Sequence, residues 1–436
     1  MSDQPRQSET MSLADATATL TAPGQMFEIG EETIRGVPTR VWNNAPPSLR
    51  AVLELSRSHG DATYLVYEDE RTSYEEHFQA AARLARTLVE RYGVAKGDRV
   101  AIAMRNYPEW VVSFWATAAA GAVVVPLNAW WTGPELAFAL EDCGASVLFA
   151  DAERAERLAP HFADLGLERV IVARAEGGDV PHDRFEEVVG DDTSPATLPD
   201  VELGPEDDAT IFYTSGTTGT PKGAVGTQRN ICTNLMSLFF VAMQGALRAG
   251  GGGAGGGQNA YLLSVPLFHA TGCHSVLVTN TAAGGKLVMM HRWDPERALE
   301  LIERERITIF GGVPAMVWQV LDSPDFSRRD TSSVTSIGYG GAPAPPELVR
   351  RIKAHFPTGH PSNGYGLTET SSVTTMNSGA DYERKPDSVG PPVPVVDVKV
   401  VDDNGDELPL GETGELWVKG PNVVRGYWDN PEATAA

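Results

Sequence analysis

The stretch 214–223 reads TSGTTGTPKG, three glycines, five hydroxyl side chains and a lysine directly after the apolar run Ala209-Thr210-Ile211-Phe212-Tyr213. Gly216, Gly219 and Gly223 permit positive φ and close backbone approach. Thr214, Ser215, Thr217, Thr218 and Thr220 offer hydroxyl donors. Successive backbone N–H groups in such a turn form an anion-binding nest, and Lys222 adds a point charge suited to a polyphosphate. The spacing is not that of a P-loop, which needs four residues between its glycines and Lys-Ser/Thr immediately after. On these residues alone two readings stand: a phosphate cradle and a plain surface turn.

The elements that must position this loop follow an alternating pattern. DRVAIAM (98–104) predicts a strand, 108–120 a helix and AVVVP (122–126) a buried strand. A helix opens at Thr132, with Glu135 three residues on as a capping box and Gly144 just past its end. ASVLFAD (145–151), YLLSVPL (261–267), KLVMM (286–290) and TIFGG (308–312) predict further strands, and 294–305 and 345–355 predict helices. Strand and helix alternate, so the sheet should be parallel with helices on its faces. Past 385, DVKVVDD and GELWVKG with their turns predict a small antiparallel, barrel-like unit. Residues 1–45 show no sustained period and read as a loosely packed extension with at most one helix.

Composition removes several classes of function. The chain has 436 residues and a net charge of −23, so duplex nucleic acid is excluded as a partner, because phosphate backbones need a basic face. Cys143, Cys232 and Cys273 form neither a metal spacing nor a disulfide framework, which suits a reducing cytoplasm. The first 25 residues lack a signal pattern. Trp110 to Pro134 carries no charge and is long enough to span a bilayer. Gly121, Pro126 and Asn128 break that run, so it reads as a helix followed by a strand. GALRAGGGGAGGGQNA (245–260) suits a linker and not a phosphate site. The dinucleotide fingerprint Gly-x-Gly-x-x-Gly is not found between the first strand and its helix, where AMRNYPEW stands, so an NAD-linked oxidoreductase is disfavoured.

Five ordered stretches carry a resemblance. TSGTTGTPKG, PLFHATG (266–272), GYGGAPAP (338–345), NGYGLTET (363–370) and GELWVKGPNVVRGYW (414–428) resemble the signatures of the adenylate-forming superfamily. Its members are acyl- and aryl-CoA synthetases, peptide-synthetase adenylation domains and beetle luciferases. The likeness runs from about residue 48 to 436. It implies an α/β fold of layered parallel-type sheets flanked by helices, plus the small β unit. It suggests an extension at 1–45, a first α/β subdomain at 46–205, a second at 206–384 carrying the nucleotide site, and a β subdomain at 385–436.

The resemblance also implies an acid–thiol ligase using ATP, Mg²⁺ and CoA. A carboxylate attacks the α-phosphorus of ATP to give an acyl-adenylate, and a thiol then takes the acyl group. Thr214, Ser215, Gly216, Thr217, Thr218, Gly219 and Lys222 would hold the leaving phosphates. Glu369 matches the metal ligand and Thr368 the α-phosphate contact; taken alone, Glu369 reads as a cap or surface carboxylate. Gly340, Gly341, Ala342 and Pro343, with Asn363, Gly364, Tyr365 and Gly366, would form the adenine pocket, Tyr365 stacking on the base. His269 would face the acid, although a lone histidine there is usually structural; His274 reads as structural. Val313, Met316 and Val317 would line an acyl slot. A medium- or long-chain aliphatic acid is the first expectation, an aromatic or cyclic acid the second. A carrier-protein thiol is the alternative acceptor, and a nucleotide-binding fragment without full catalysis the alternative activity. The family's Thr-Gly-Asp segment, hinge and small C-terminal domain are not found after GYWDNPEATAA, so impaired turnover is expected of this chain. Nothing in the pattern indicates an oligomeric state.

Overall fold

The computed structural model describes residues 11–175, 182–190, 194–214, 221–250 and 257–435. Two eight-stranded sheets dominate it. The first runs, edge to edge, Gly426–Tyr427, Lys222–Thr227, Asp208–Thr214, Val123–Pro126, Arg99–Ala103, Val147–Asp151, Arg169–Ala173, Asp183–Arg184. Its members pair in parallel except Lys222–Thr227, which is antiparallel to both neighbours. The second runs Thr375–Ser378, His360–Tyr365, Ser336–Gly340, Ile309–Gly312, Ala260–Leu263, Lys286–Met289, Thr63–Tyr67, Glu70–Ser73. Its centre is parallel and its two edges are antiparallel. Sheet membership does not follow the sequence division at 205. The hairpin 208–227 belongs to the first sheet, and 63–73 belongs to the second.

Helices fill the space between the sheets, which explains the charge-free run from 110. In helix Pro108–Ala119, Trp110, Phe114 and Trp115 are fully buried, and their cluster takes in Val100, Ile102 and Val124 of one sheet and Leu65, Leu263 and Leu287 of the other. Each large apolar side chain so buried contributes about 1.5–3 kcal/mol. The run then turns at Gly121 (φ +78°) into a short buried strand. Helix Gly133–Cys143 begins as expected: the Glu135 carboxylate accepts from the Thr132 backbone N–H at 2.8 Å, and Gly144 closes it in the left-handed region. A helix at Gln228–Arg248 went unread in the sequence. It is long and apolar enough to cross a membrane by length and composition, but half of its most apolar stretch is buried inside the protein.

Three expectations are corrected. Residues 11–45 are not loosely packed. They form a helix (Leu13–Leu20) and a hairpin (Ile29–Ile34 with Val37–Trp42). Phe27 and Trp42 pack on Phe240 with ring centroids 5.5 Å away in each case, and the Trp42 indole N–H donates to Ser237 Oγ at 3.1 Å. YLLSVPL is a strand only to Leu263, because Pro266 removes a ladder donor and the chain bends. The small antiparallel unit is a two-stranded sheet, Asp397–Val401 with Glu415–Lys419, and among the described residues no further strand closes it into a barrel.

Candidate nucleotide-binding site

Lys222 opens the second strand of a hairpin, directly opposite Thr214 in the register. Ser215, Gly216, Thr217, Thr218 and Gly219 lie outside the described residues. The Lys222 ammonium sits 5.5 Å from the ring centroid of Tyr427. The Tyr427 hydroxyl donates to Glu369 Oε1 at 2.7 Å. A loop lysine and a carboxylate far apart in sequence therefore share one neighbour. The backbone stitches them together as well. Val424 N–H donates to the Glu369 carbonyl (2.9 Å), Arg425 N–H to Val225 (2.9 Å) and Trp428 N–H to Gly223 (2.7 Å). Burial, then the carboxylate beside it, pushes the Tyr427 pKa up to about 12, so the phenol remains a donor at neutral pH.

Glu369 stands in a short 3₁₀ turn, Thr368–Thr370, with Thr368 half-buried beside it. The next two residues, Ser371 (φ +53°) and Ser372 (φ +99°), both sit at positive φ. For residues with a Cβ such angles are strained, at ~1–3 kcal/mol each, and persist only where the surroundings enforce them. Here they do. The Asn422 amide donates to the Thr370 and Val373 carbonyls (3.1 and 3.2 Å), Asn234 Oδ1 accepts from Val373 N–H (3.0 Å), and the Ser275 hydroxyl donates to Ser372 Oγ (2.8 Å). A Cβ at Gly366 would lie 1.5 Å from the Ser372 carbonyl oxygen, so only glycine lets the turn fold back there.

The proposed adenine side forms at the carboxyl ends of two parallel strands, where open α/β sheets place ligands. Gly340 and Gly364 are register partners. Gly341 has φ +72° and begins an exposed lip with Ala342 and Pro343. Tyr365 is half-buried opposite Thr375 on the antiparallel edge strand. Asn363 is buried beside the Tyr382 hydroxyl.

The acid side is built differently. His269 is solvent-exposed, with ring centroids of Phe268 at 4.8 Å and Trp130 at 6.3 Å. Partial desolvation by the atoms around it lowers its pKa below the ordinary histidine value. Next to it a cavity of about 170 Å³ is lined by Asn106, Trp130, Ser264, Phe268, Met290 and Met316 among others. Ser264 Oγ donates to the Gly311 carbonyl, tying this wall to the neighbouring strand. Val313 lies 4.0 Å from where a Gly341 Cβ would stand, so the acid and adenine sides adjoin. Val317 is a correction. It is fully buried in the core of the second sheet with Phe310 and Leu321, because helix Pro314–Asp322 turns that face inward. His274 is fully buried with its ring edge-on to Phe212 (5.0 Å), as a structural histidine should be.

A scan against protein-family models matches the AMP-binding enzyme family over residues 53–428. The chain belongs to the AMP-binding enzyme family. Like its relatives it is an enzyme, of the acid–thiol ligase class. It is 34% identical over 381 residues to a feruloyl-CoA synthase of an Amycolatopsis species, covering 87% of this chain and 71% of that one. It is 32% identical over 368 residues to 4-coumarate–CoA ligase 3 of Oryza sativa subsp. japonica, covering 82% of this chain and 63% of that one. Among solved structures, a Mycobacterium tuberculosis fatty acyl CoA synthetase superposes with a TM-score of 0.76 at 29% identity, over 89% of this chain and 73% of that one.

In this AMP-binding enzyme, several residues now adjoining the site escaped the sequence reading. Tyr427 stood inside a quoted motif but was given no role. Asn234, Ser275 and Asn422 lie far from Glu369 in sequence, and only the fold brings them to its turn. Trp130 had a signal, since a tryptophan pair at 130–131 in a loop after a buried strand is unusual for a turn.

Proposed function

We propose that this chain activates a carboxylic acid with ATP and passes the acyl group to CoA. The observation that carries this reading is Tyr427, which joins Lys222 and Glu369 into one cluster beside the strand ends bearing Gly340 and Gly364. Displacement at phosphorus needs positioning and charge neutralisation more than covalent help from protein. Lys222 and Thr214, with the loop between them, bind the departing phosphates. Thr368 contacts the α-phosphate, and the glycines at 340, 341, 364 and 366 let backbone approach the base beside Tyr365. Ala342 and Pro343 form the lip, Asn363 holds the strand end, and His269 faces the acid.

Among the described residues, no three His, Cys, Asp or Glu side chains cluster as a metal site. One carboxylate fits Mg²⁺ all the same, since that ion is commonly held by one or two carboxylates together with substrate phosphates. Glu369 would hold it, and when bound the ion neutralises charge developing on the phosphates.

For the acid, the ring-lined cavity beside His269 and the feruloyl and coumarate relatives together favour an aromatic acid over the aliphatic chain first expected. Both are tested by calorimetric titration with MgATP, NAD and non-hydrolysable acyl-adenylate mimics carrying feruloyl, benzoyl, octanoyl or palmitoyl groups. We expect MgATP to bind, NAD not to bind, and the feruloyl mimic to bind at least tenfold more tightly than the palmitoyl one. Absent MgATP binding would overturn the activity, and a preference for palmitoyl would restore the aliphatic reading.

A further inference from the structure

We propose that Tyr427 is a positioning residue for the metal carboxylate and the loop lysine at once, its hydroxyl fixing Glu369 and its ring seating Lys222. The inference rests on the nucleotide-site reading above and adds a residue to it. Three observations support it. First, the phenol donates to Oε1 only, at 2.7 Å, and among the described residues no other side chain donates to this carboxylate. The second oxygen is left for a hard cation, with the carboxylate plane held by the first. Second, the Lys222 ammonium lies over the same ring at 5.5 Å, within cation–π reach. The ring thus offers the lysine a neutral seat beside the carboxylate. Among the described residues Lys222 and Glu369 form no direct ion pair, which would cancel both groups' attraction for metal and phosphate; each meets Tyr427 instead. Third, the backbone that carries the ring is fixed. Its residue is pinned by Tyr427 N–H donating to Thr434 Oγ1 (2.8 Å), and its strand pairs with Lys222–Thr227 through Ala224 opposite Tyr427.

Partners of ligating carboxylates and histidines typically tune metal affinity by 10–100-fold. The test uses the full chain and Mn²⁺ as a paramagnetic probe, with and without a saturating non-hydrolysable ATP analogue. Free Mn²⁺ is read by electron paramagnetic resonance, and metal-free analogue affinity by calorimetry. Tyr427→Phe keeps the ring and loses the hydroxyl; it should weaken Mn²⁺ binding in the ternary complex about tenfold while leaving metal-free analogue affinity within twofold. Tyr427→Leu loses both and should weaken the metal-free analogue as well. The ratio of the two affinities within one variant cancels any loss of folded protein. Glu369→Gln, which still accepts from the phenol, is the control. If Glu369→Gln loses Mn²⁺ but Tyr427→Phe matches the parent, the role of Tyr427 is overturned and the nucleotide site stands. If Glu369→Gln matches the parent, both fall.

Discussion

The nucleotide side and the acid side of the site differ in what faces the substrate: fixed polar groups on one, rings and thioethers on the other. Around Glu369 the turn is closed by its own backbone bonds and braced from outside by side chains. Asn422, Asn234, Ser275 and Tyr427 hold a turn that includes two strained serines. Around His269 the cavity is faced by the rings of Trp130 and Phe268 and the thioethers of Met290 and Met316, with Trp130 55% exposed; Asn106 and Ser264 tie the backbone behind them, but among the described residues the imidazole itself makes no hydrogen bond. The difference follows from the chemistry each side handles. Charge neutralisation falls off with distance and orientation, so donors and carboxylates must be fixed. An apolar group is recognised by area and shape, which adaptable side chains supply. Rigidity therefore belongs with the part of the substrate common to all such reactions, and adaptability with the part that varies.

The contrast can be broken most sharply at Gly366. Gly366→Ala drives a methyl group against the Ser372 carbonyl, and we expect a loss of about 3 kcal/mol in stability and of analogue binding by more than 100-fold. If calorimetry finds near-parental binding, the turn is far softer than argued here. Acid should next act on two buried histidines, His274 beside the turn after Glu369 and His77 in the core helix 74–86. Burial lowers the His274 pKa to about 4 and that of His77 to about 3. The folded state therefore binds fewer protons than the unfolded chain, and stability should fall as pH drops below about 6.5. Between pH 6.5 and 5 each histidine should remove about 2 kcal/mol. His274→Gln should flatten the pH dependence of urea midpoints, and an unchanged slope would clear that histidine of the effect.

On the acid side the expected changes are smaller and selective. Trp130→Ala should alter the ratio of feruloyl to octanoyl mimic affinity about tenfold, in line with 1–3 kcal/mol for apolar pocket contacts, with MgATP binding unchanged. A parallel loss of both would place Trp130 in the nucleotide machinery and erase the distinction. The smallest effect is expected at Arg35. From the turn of the N-terminal hairpin it donates to the Val424 and Val423 carbonyls (2.7 and 2.9 Å), next to the bond that holds Glu369. Arg35→Ala should cost about 1–2 kcal/mol in thermal melts and weaken MgATP two- to threefold.

Much of this was legible before any coordinates, and what was not shares a physical cause. The helix at 133–143 carried its own start and stop signals in Thr132, Glu135 and Gly144. The strands at 99–103, 123–126 and 147–151 announced themselves because both faces are buried and the residues are β-branched or small. Lys222 and Glu369 were picked out by motif, and the structure puts them around one tyrosine. The N-terminal hairpin was missed because its turn is Arg35-Gly36, without the Asn-Gly or Asp-Gly signal, and its apolar face is completed only by Phe240 from a distant helix. Val317 was misplaced because its helix sends alternate apolar residues to a cavity and to a core, and the sequence does not say which is which. Asn234 and Asn422 carry no local signature; a lone asparagine becomes a brace only when a remote turn arrives beside it.

The interleaving of the two sheets has a consequence for how the chain comes into being. The second sheet is begun by residues 63–73 and resumed only at 260, while the first, begun at 99, gains its last edge strand at 426–427. A ribosome releasing this polypeptide from its amino end thus leaves the second layer without its last edge strand until residue 378 has emerged and the first until residue 427. Assembly is correspondingly non-local and slow, and the nascent protein exposes unpaired strand edges, an aggregation hazard, until Tyr427 reaches its place.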